Sequence, residues 1–124
     1  MEVIILAAGR SLRYSSERPK HSLYDYKGNM MLETIIKSYI NNHNVNIILN
    51  NENEKKFPVK NLLKKKYSSK KLKIITLNKF TKGPAESAFQ ALLKLNFKGD
   101  REILIRDCDS FFDHKNQQGN YMLL

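Results

Sequence analysis

Apolar runs and helically spaced apolar residues alternate along most of the chain. Residues 3–6 form an unbroken aliphatic run, which is typical of a parallel strand that is buried on both faces. Residues 45–49, 72–77 and 103–105 are also predicted to be strands, because β-branched and aliphatic residues dominate them. The last apolar segment, residues 121–124, is predicted to be either a short strand or a frayed end.

Three helices are predicted between these strands. The first starts at Met30 with Asn29 as its N-cap. Its apolar positions are Leu32, Ile35, Ile36, Tyr39 and Ile40. A weaker helix covers about residues 58–67, with Leu62, Leu63 and Tyr67 facing inward. The third follows Gly83-Pro84, because proline is favoured in a first helical turn. Its apolar positions are Ala85, Ala88, Phe89, Leu92 and Leu93.

The order of these elements predicts an α/β fold. Strands that alternate with helices at this spacing imply right-handed crossovers and a mostly parallel, doubly wound sheet between two helical layers. The chain has 124 residues and contains no internal repeat or low-complexity linker. We therefore expect residues 1–124 to form a single domain.

The charge balance favours anionic ligands. The chain contains 22 Lys and Arg against 12 Asp and Glu, a formal net charge of +10. Such a balance suits phosphates, nucleic acids or acidic lipids. The lysines within 64–66 and 70–73 are interpreted as a solvated helix face and loop. Aromatic residues do not interleave with them as in single-strand binders, so nucleic acid is not the expected partner.

The same composition indicates a cytoplasmic protein. Cys108 is the single cysteine, which excludes an internal disulfide and suits a reducing compartment. The chain starts with Met1-Glu2 and a short apolar run, unlike a secretory signal. No apolar segment approaches the ~20 residues of a membrane span. We therefore expect a soluble protein without a membrane partner.

A small-residue bend follows the first predicted strand. Ala7, Ala8 and Gly9 lack side chains that would keep a base or phosphate from the backbone N–H groups. Open α/β sheets bind ligands at the carboxyl ends of their strands, where this bend lies. The cations that follow it, which can bind phosphate oxygens, are Arg10, Arg13 and Lys20. The alternative is a plain turn with scattered surface cations.

Two other nucleotide-binding motifs are absent from the sequence. The chain contains neither G-x-x-x-x-G-K-[ST] nor G-x-G-x-x-G. A Walker-type ATPase and a dinucleotide dehydrogenase are therefore not supported.

Two aspartates follow the fourth predicted strand. In Asp107-Cys108-Asp109, side chains that alternate across a strand would turn both carboxylates to one side and the thiol to the other. Mg²⁺ is typically held by one or two carboxylates together with substrate phosphates and water. The pair is therefore predicted to bind Mg²⁺, and the alternative is an acidic turn that ends a strand.

The bend resembles the signature of the nucleotidyltransferases that make nucleotide sugars and related activated metabolites, roughly L-A-A-G-x-G-[ST]-R and then P-K. The matching residues are Leu6, Ala7, Ala8, Gly9, Arg13, Pro19 and Lys20. Ser11 stands where the family usually has a second glycine, and Leu12 where it has a small hydroxyl residue. The resemblance covers residues 1 to about 112. It implies a Rossmann-like, three-layer sandwich of the nucleotide-diphospho-sugar transferase type.

The resemblance also implies an activity. Family members transfer a nucleoside monophosphate from a nucleoside triphosphate to a phosphorylated acceptor, such as a sugar phosphate or a phosphorylated alcohol, and release pyrophosphate in a Mg²⁺-dependent reaction. Arg13 and Lys20 would hold the triphosphate, and Asp109 would be the metal-binding aspartate with Asp107 assisting. The expected nucleotide-binding residues are Leu6, Ala8, Gly9, Arg10 and Ser11, with Asn78 and Gly83 at the base.

Family members continue with a half that binds the acceptor, and the resemblance implies that this half is absent here. The chain is then expected to be a truncated or shortened form, or one piece that a partner chain or a homo-oligomer completes. Two other functions stay open from the residues. A glycosyltransferase that uses a nucleotide sugar carries D-x-D after a strand as its metal motif, and a non-catalytic nucleotide-binding module would bind without turnover.

Overall fold

The computed structural model describes residues 1–9, 28–68 and 71–108 and the backbone of residues 121–123. The strands in this part of the chain are β1 (Glu2–Ala7), β2 (Asn44–Asn50), β3 (Leu72–Leu77), β4 (Ile103–Asp107) and β5 (Tyr121–Leu123). The helices in it are α1 (Met31–Tyr39), α2 (Asn51–Lys56), α3 (Lys60–Lys66) and α4 (Pro84–Leu95). The four predicted strands are confirmed, and the apolar segment at 121–123 is a strand.

The described strands form one parallel sheet in the order β3-β2-β1-β4-β5. β1 lies in the middle, and all of its residues are buried. An unbroken aliphatic run is favoured there because helices cover both faces of the strand. The predicted parallel α/β architecture is confirmed, and the fold is Rossmann-like.

Each face of the sheet has its own apolar core. On one face, α1 and α3 pack against the odd-numbered residues of β1, through side chains that include Leu32, Ile36 and Leu63. On the other face, α4 packs against the even-numbered residues of β1 through Ala88, Ala91 and Leu95. The alternation of side chains along the strand thus divides its residues between two cores.

After β3, the chain adds its next strand on the opposite side of β1. β1, β2 and β3 follow one another outward, and the connection through α4 then returns to β4 on the far side of β1. Right-handed crossovers in opposite directions place their helices on opposite faces, which explains why α4 lies on the face opposite α1. The carboxyl ends of β1 and β4 are therefore at the reversal point, where open α/β sheets form a ligand crevice.

Two local predictions about the first helices are wrong. The N-cap of α1 is Met30, which forms no side-chain cap, and Asn29 instead accepts a hydrogen bond of 3.1 Å from Lys37 Nζ. Leu62 does not face inward but is 44% exposed, because the short α3 buries only Leu63.

The apolar face of α4 also differs from the prediction. Phe89 and Leu93 are 58% and 59% exposed, and Ala85 is exposed as well. The buried residues of the helix are Ser87, Ala88, Ala91 and Leu95. The small residues Ser87, Ala88 and Ala91 let the helix lie close to the sheet, while Phe89 and Leu93 point outward.

In the described part of the chain, no helix has the length and apolar character needed to cross a membrane.

Candidate functional site

The carboxyl ends of β1 and β4 lie side by side. In the parallel pairing of these strands, Leu6 is the partner of Asp107. Ala8 and Gly9 follow the end of β1 and Cys108 follows the end of β4, so the described members of the two sequence motifs lie at the reversal point of the sheet. Their described members therefore share one edge of the molecule.

The bend after β1 leaves open space at its glycine. Ala7 and Ala8 are 2% and 3% exposed, whereas Gly9 is exposed. A Cβ atom added at Gly9 would meet no atom of residues 1–9, 28–68 or 71–108 within 4 Å, and the backbone there is outside the left-handed region. Neither packing against these residues nor backbone conformation therefore requires glycine at this position. The missing side chain leaves the backbone open to a ligand.

Two asparagines that the sequence analysis did not single out support this bend. Asn53 of α2 donates a hydrogen bond of 3.0 Å from Nδ2 to the carbonyl oxygen of Gly9, and Asn53 is buried. Asn50 caps the same helix by accepting a hydrogen bond of 2.8 Å from the backbone N–H of Glu52. The bend is thus tied to the helix that follows the neighbouring strand.

The hydrophobic pattern does not predict α2, because its sequence has no apolar period. Its signal is electrostatic instead: an asparagine at the N-cap, glutamates in the first turn and lysines in the last turn. Such charges complement the helix dipole at both ends. This pattern could have revealed α2, but not the contact that its Asn53 makes.

Asn50 also has a hydrogen-bond donor that faces none of the described acceptors. The residue is fully buried, and its Nδ2 has no hydrogen-bond partner among the residues that the structure describes. Asn50 is the partner of Leu77 in the pairing of β2 with β3, at the same carboxyl edge as the bend. The edge therefore contains an amide donor as well as open backbone.

The end of β4 carries a partly exposed carboxylate and a buried thiol. Asp107 is partly exposed, whereas Cys108 is 1% exposed and belongs to the core on the α1 face. A carboxylate oxygen without a thiol suits a hard cation such as Mg²⁺ better than Zn²⁺. Over residues 1–9, 28–68 and 71–108, no three His, Cys, Asp or Glu side chains cluster closely enough to hold a metal ion.

A buried arginine fixes the end of β4. Arg106 is 2% exposed, and its NH1 donates a hydrogen bond of 3.1 Å to the Tyr39 hydroxyl of α1. Its Nε donates to the backbone carbonyl oxygen of Asp107 at 3.3 Å. The sequence analysis missed this residue, because an arginine in a strand gives no local sign of the layer that it enters. Through these contacts α1 and the end of β4 are tied together behind the candidate site.

Asn78 lies apart from the bend, after the end of β3. It is exposed and lines a surface depression of about 390 Å³ together with Phe80, Glu86 and Gln90. Gly83 does not line this depression, although it precedes α4 at the same edge of the sheet. A Cβ at Gly83 would also meet no atom within 4 Å in the part of the chain that the structure describes. The two residues predicted to contact a base thus share an edge but not one cavity.

The rest of the predicted site falls outside the described ranges. The residues concerned are Arg10, Ser11, Arg13, Lys20 and Asp109. Their proposed roles depend on the sequence motifs alone.

Comparison with models of known protein families gave no match, and no curated protein matches the chain significantly.

Proposed function

We propose that this chain carries the nucleotide-binding site of a nucleotidyltransferase. This enzyme would transfer a nucleoside monophosphate from a nucleoside triphosphate to a phosphorylated acceptor and release pyrophosphate. The observation that carries the proposal is the pairing of Leu6 with Asp107, which joins the glycine bend and the aspartate at the reversal point of a parallel sheet. The motif resemblance at Arg13, Pro19 and Lys20 adds the chemistry of the ligand.

The dimensions of the edge suit an extended ligand. Asn78 follows β3 and Asp107 ends β4, and the order β3-β2-β1-β4 separates these strands by three spacings. Three spacings amount to ~14 Å. A base near β3, phosphates at the Gly9 bend and a metal at Asp107 would follow one line along this edge. The open backbone at Gly9 supports phosphate contact in the middle of that line.

Charge neutralisation is the proposed role of the cations. Arg13 and Lys20 would bind the triphosphate and stabilise the negative charge that develops on the departing pyrophosphate. Asp107 fits a magnesium site by its oxygen chemistry and by the burial of the neighbouring thiol, and Asp109 would complete the pair. Bound Mg²⁺ supplies positive charge to the phosphate oxygens.

The proposed reaction needs no protein nucleophile. An oxygen of the acceptor phosphate forms a bond to the α-phosphorus while the bond from that phosphorus to the bridging oxygen breaks, and the electron pair leaves with pyrophosphate. Positioning and electrostatic stabilisation carry such a transfer. Removal of one preorganised charged contact is expected to cost roughly 10²–10³ in rate.

Nucleotide binding tests the proposal on the chain itself. Thermal unfolding is measured with CTP, UTP, dTTP, GTP and ATP, each with and without Mg²⁺. At least one nucleotide should raise the melting temperature in a Mg²⁺-dependent manner, because a ligand that binds only the native state stabilises it. Lys20→Ala and Asp109→Ala should abolish the shift, whereas Lys64→Ala on the exposed face of α3 should retain it. Absence of a shift with every nucleotide overturns the proposal.

Isotope exchange separates the proposal from its alternatives. Radiolabelled pyrophosphate is incubated with the chain, Mg²⁺ and a panel of nucleotide sugars and nucleotide-linked alcohols. A nucleotidyltransferase moves the label into the triphosphate. A glycosyltransferase binds a nucleotide sugar without exchange, and a non-catalytic module binds the triphosphate without exchange. Normal exchange by Lys20→Ala and Asp109→Ala would refute the assigned roles.

A further inference from the structure

We infer that Asn53 is a positioning residue that holds the Gly9 bend ready for the phosphates of the nucleotide. The inference rests on the proposed function and extends it to a residue outside the resembling motifs. The contact that supports the inference is the hydrogen bond of 3.0 Å from Asn53 Nδ2 to the carbonyl oxygen of Gly9. The two residues are 44 positions apart in the chain, and Asn53 is 8% exposed.

The structure holds Asn53 itself in a fixed place. β2 ends at Asn50 and α2 begins at the next residue, so no loop separates strand from helix. The fully buried Asn50 caps this junction through its hydrogen bond to the N–H of Glu52. β2 and β1 are neighbours in register up to the pair Leu49 and Ala7, so the helix starts close to the end of β1. The amide of Asn53 therefore reaches Gly9 from a rigid support.

The bend needs such support because its glycine has no side chain to pack. Among the residues that the structure describes, no atom lies within 4 Å of a Cβ added at Gly9, so these residues do not orient it by packing. A peptide group is planar, and an anchored carbonyl oxygen therefore restricts the orientation of its whole plane. Ordering the bend before the ligand arrives reduces the conformational cost of binding. Asn53 would thus raise the affinity for the phosphates without touching them.

The chemistry of the contact requires an amide. Asn53 donates an N–H to a carbonyl oxygen, and an ionised carboxylate of the same shape can only accept hydrogen bonds. Asn53→Asp would therefore repel the Gly9 carbonyl and place a negative charge close to the proposed phosphates. Asn53→Ala removes the donor without adding charge. The two variants separate the loss of the tether from the addition of repulsion.

The measurement that tests this role is the ratio of the affinity for a nucleoside triphosphate to the affinity for the corresponding nucleoside. Wild type, Asn53→Ala, Asn53→Asp and the control Asn61→Ala are titrated calorimetrically, in Mg²⁺, with the nucleoside triphosphate that gives the largest thermal shift. The corresponding nucleoside is measured by competition. Asn61 is an exposed asparagine of the neighbouring helix α3. Circular dichroism checks that each variant is folded, and the uncharged, near-isosteric Asn53→Leu carries the test where Asn53→Ala does not fold.

We expect Asn53→Ala to weaken triphosphate binding about five- to tenfold, the size of one lost hydrogen bond. Asn53→Asp should weaken it further, and neither variant should change nucleoside binding. Asn61→Ala should leave both affinities unchanged. Equal losses for nucleoside and triphosphate would mean a merely structural role and overturn the inference.

Failure of the inference is distinguishable from failure of the proposed function. Wild-type affinity for the triphosphate in both Asn53 variants overturns the inference alone, because the nucleotide site is then intact without the tether. A wild-type chain that binds none of the five triphosphates overturns the proposed function, and the role of Asn53 with it.

Discussion

Asp107 lies directly beside Leu6, as its partner in the parallel pairing of β4 with β1. Leu6 is the second-last residue of β1, and Asp107 is the last residue of β4. The chain therefore leaves the sheet after Ala7 and after Asp107 at neighbouring points, although 100 residues lie between Leu6 and Asp107. Each motif can accordingly be tested through its effect on a ligand that needs both.

The open space at Gly9 leads to a prediction that separates folding from binding. Gly9→Ala should leave the free energy of unfolding unchanged or raise it by up to about 1 kcal/mol, because the added methyl group meets no atom of the described residues within 4 Å and restricts the unfolded chain. The same methyl group should weaken triphosphate binding roughly tenfold, equivalent to about 1.4 kcal/mol. Urea unfolding and calorimetric titration measure the two effects.

Gly99→Ala is the matched control for this substitution. Gly99 has a φ of +79°, where a side chain is strained, so alanine should destabilise the fold by about 1 kcal/mol. Gly99 precedes the amino end of β4, away from the candidate site, so nucleotide affinity should not change. A Gly9→Ala chain that binds nucleotide normally would show that the bend does not approach the ligand.

The carboxylate of Asp107 is predicted to act through the metal. Asp107→Asn should remove most of the Mg²⁺ dependence of triphosphate binding, with an affinity loss of about 10- to 100-fold, because the amide is a weaker ligand for a hard cation. Titrations in Mg²⁺ and in EDTA measure this difference. Asp100→Asn, at an exposed position before β4, should behave as wild type. An unchanged Mg²⁺ dependence in Asp107→Asn would remove this residue from the site.

Alkaline pH should weaken the contact between α1 and α3. The Glu33 carboxylate is buried and accepts hydrogen bonds from Lys66 Nζ at 2.8 Å and from the Tyr67 hydroxyl at 3.2 Å. Burial, followed by the charge of Glu33 and its hydrogen bond, raises the pKa of Tyr67 from 10.0 to about 12. The Tyr67 hydroxyl therefore keeps its proton up to a higher pH in the folded chain than in the unfolded chain.

The sign of the pH dependence follows from this order of pKa values. The contribution of Tyr67 to the free energy of unfolding is fully present below pH 10 and is lost as the pH rises toward 12. Over this range the unfolded chain releases the hydroxyl proton that the folded chain still holds. Urea unfolding from about pH 8 to about pH 11.5 should show a steeper loss of stability in wild type than in Tyr67→Phe. Parallel curves for the two proteins would contradict the assignment.

Substitutions in α4 should report which side of the helix faces the sheet. Leu95→Ala should lower the free energy of unfolding by about 2–5 kcal/mol, because Leu95 is 7% exposed within the core on the α4 face. Phe89→Ser, at a residue that is 58% exposed, should change it by no more than about 0.5 kcal/mol. Chemical denaturation of the two variants measures both values. A large loss in Phe89→Ser would support the inward orientation that the apolar spacing predicts.

Elements that depend on local pattern could be predicted from the amino-acid sequence. The aliphatic run of β1 and the proline at the start of α4 both lie where the sequence predicts them, because burial on two faces and the missing proline N–H constrain the residue types directly. The alternation of strands and helices also predicts a parallel sheet, since parallel neighbours require crossover connections.

Which distant residues meet depends on the packing of the elements. The order β3-β2-β1-β4-β5 brings Asp107 beside Leu6, and α2 brings Asn53 to the carbonyl oxygen of Gly9. Phe89 of α4 faces outward because the sheet covers only one side of that helix. Hydrophobic period reports the face that a segment can bury. The hydrophobic period does not indicate which distant residue a polar side chain contacts, since that contact is set by how the helices and strands pack in three dimensions.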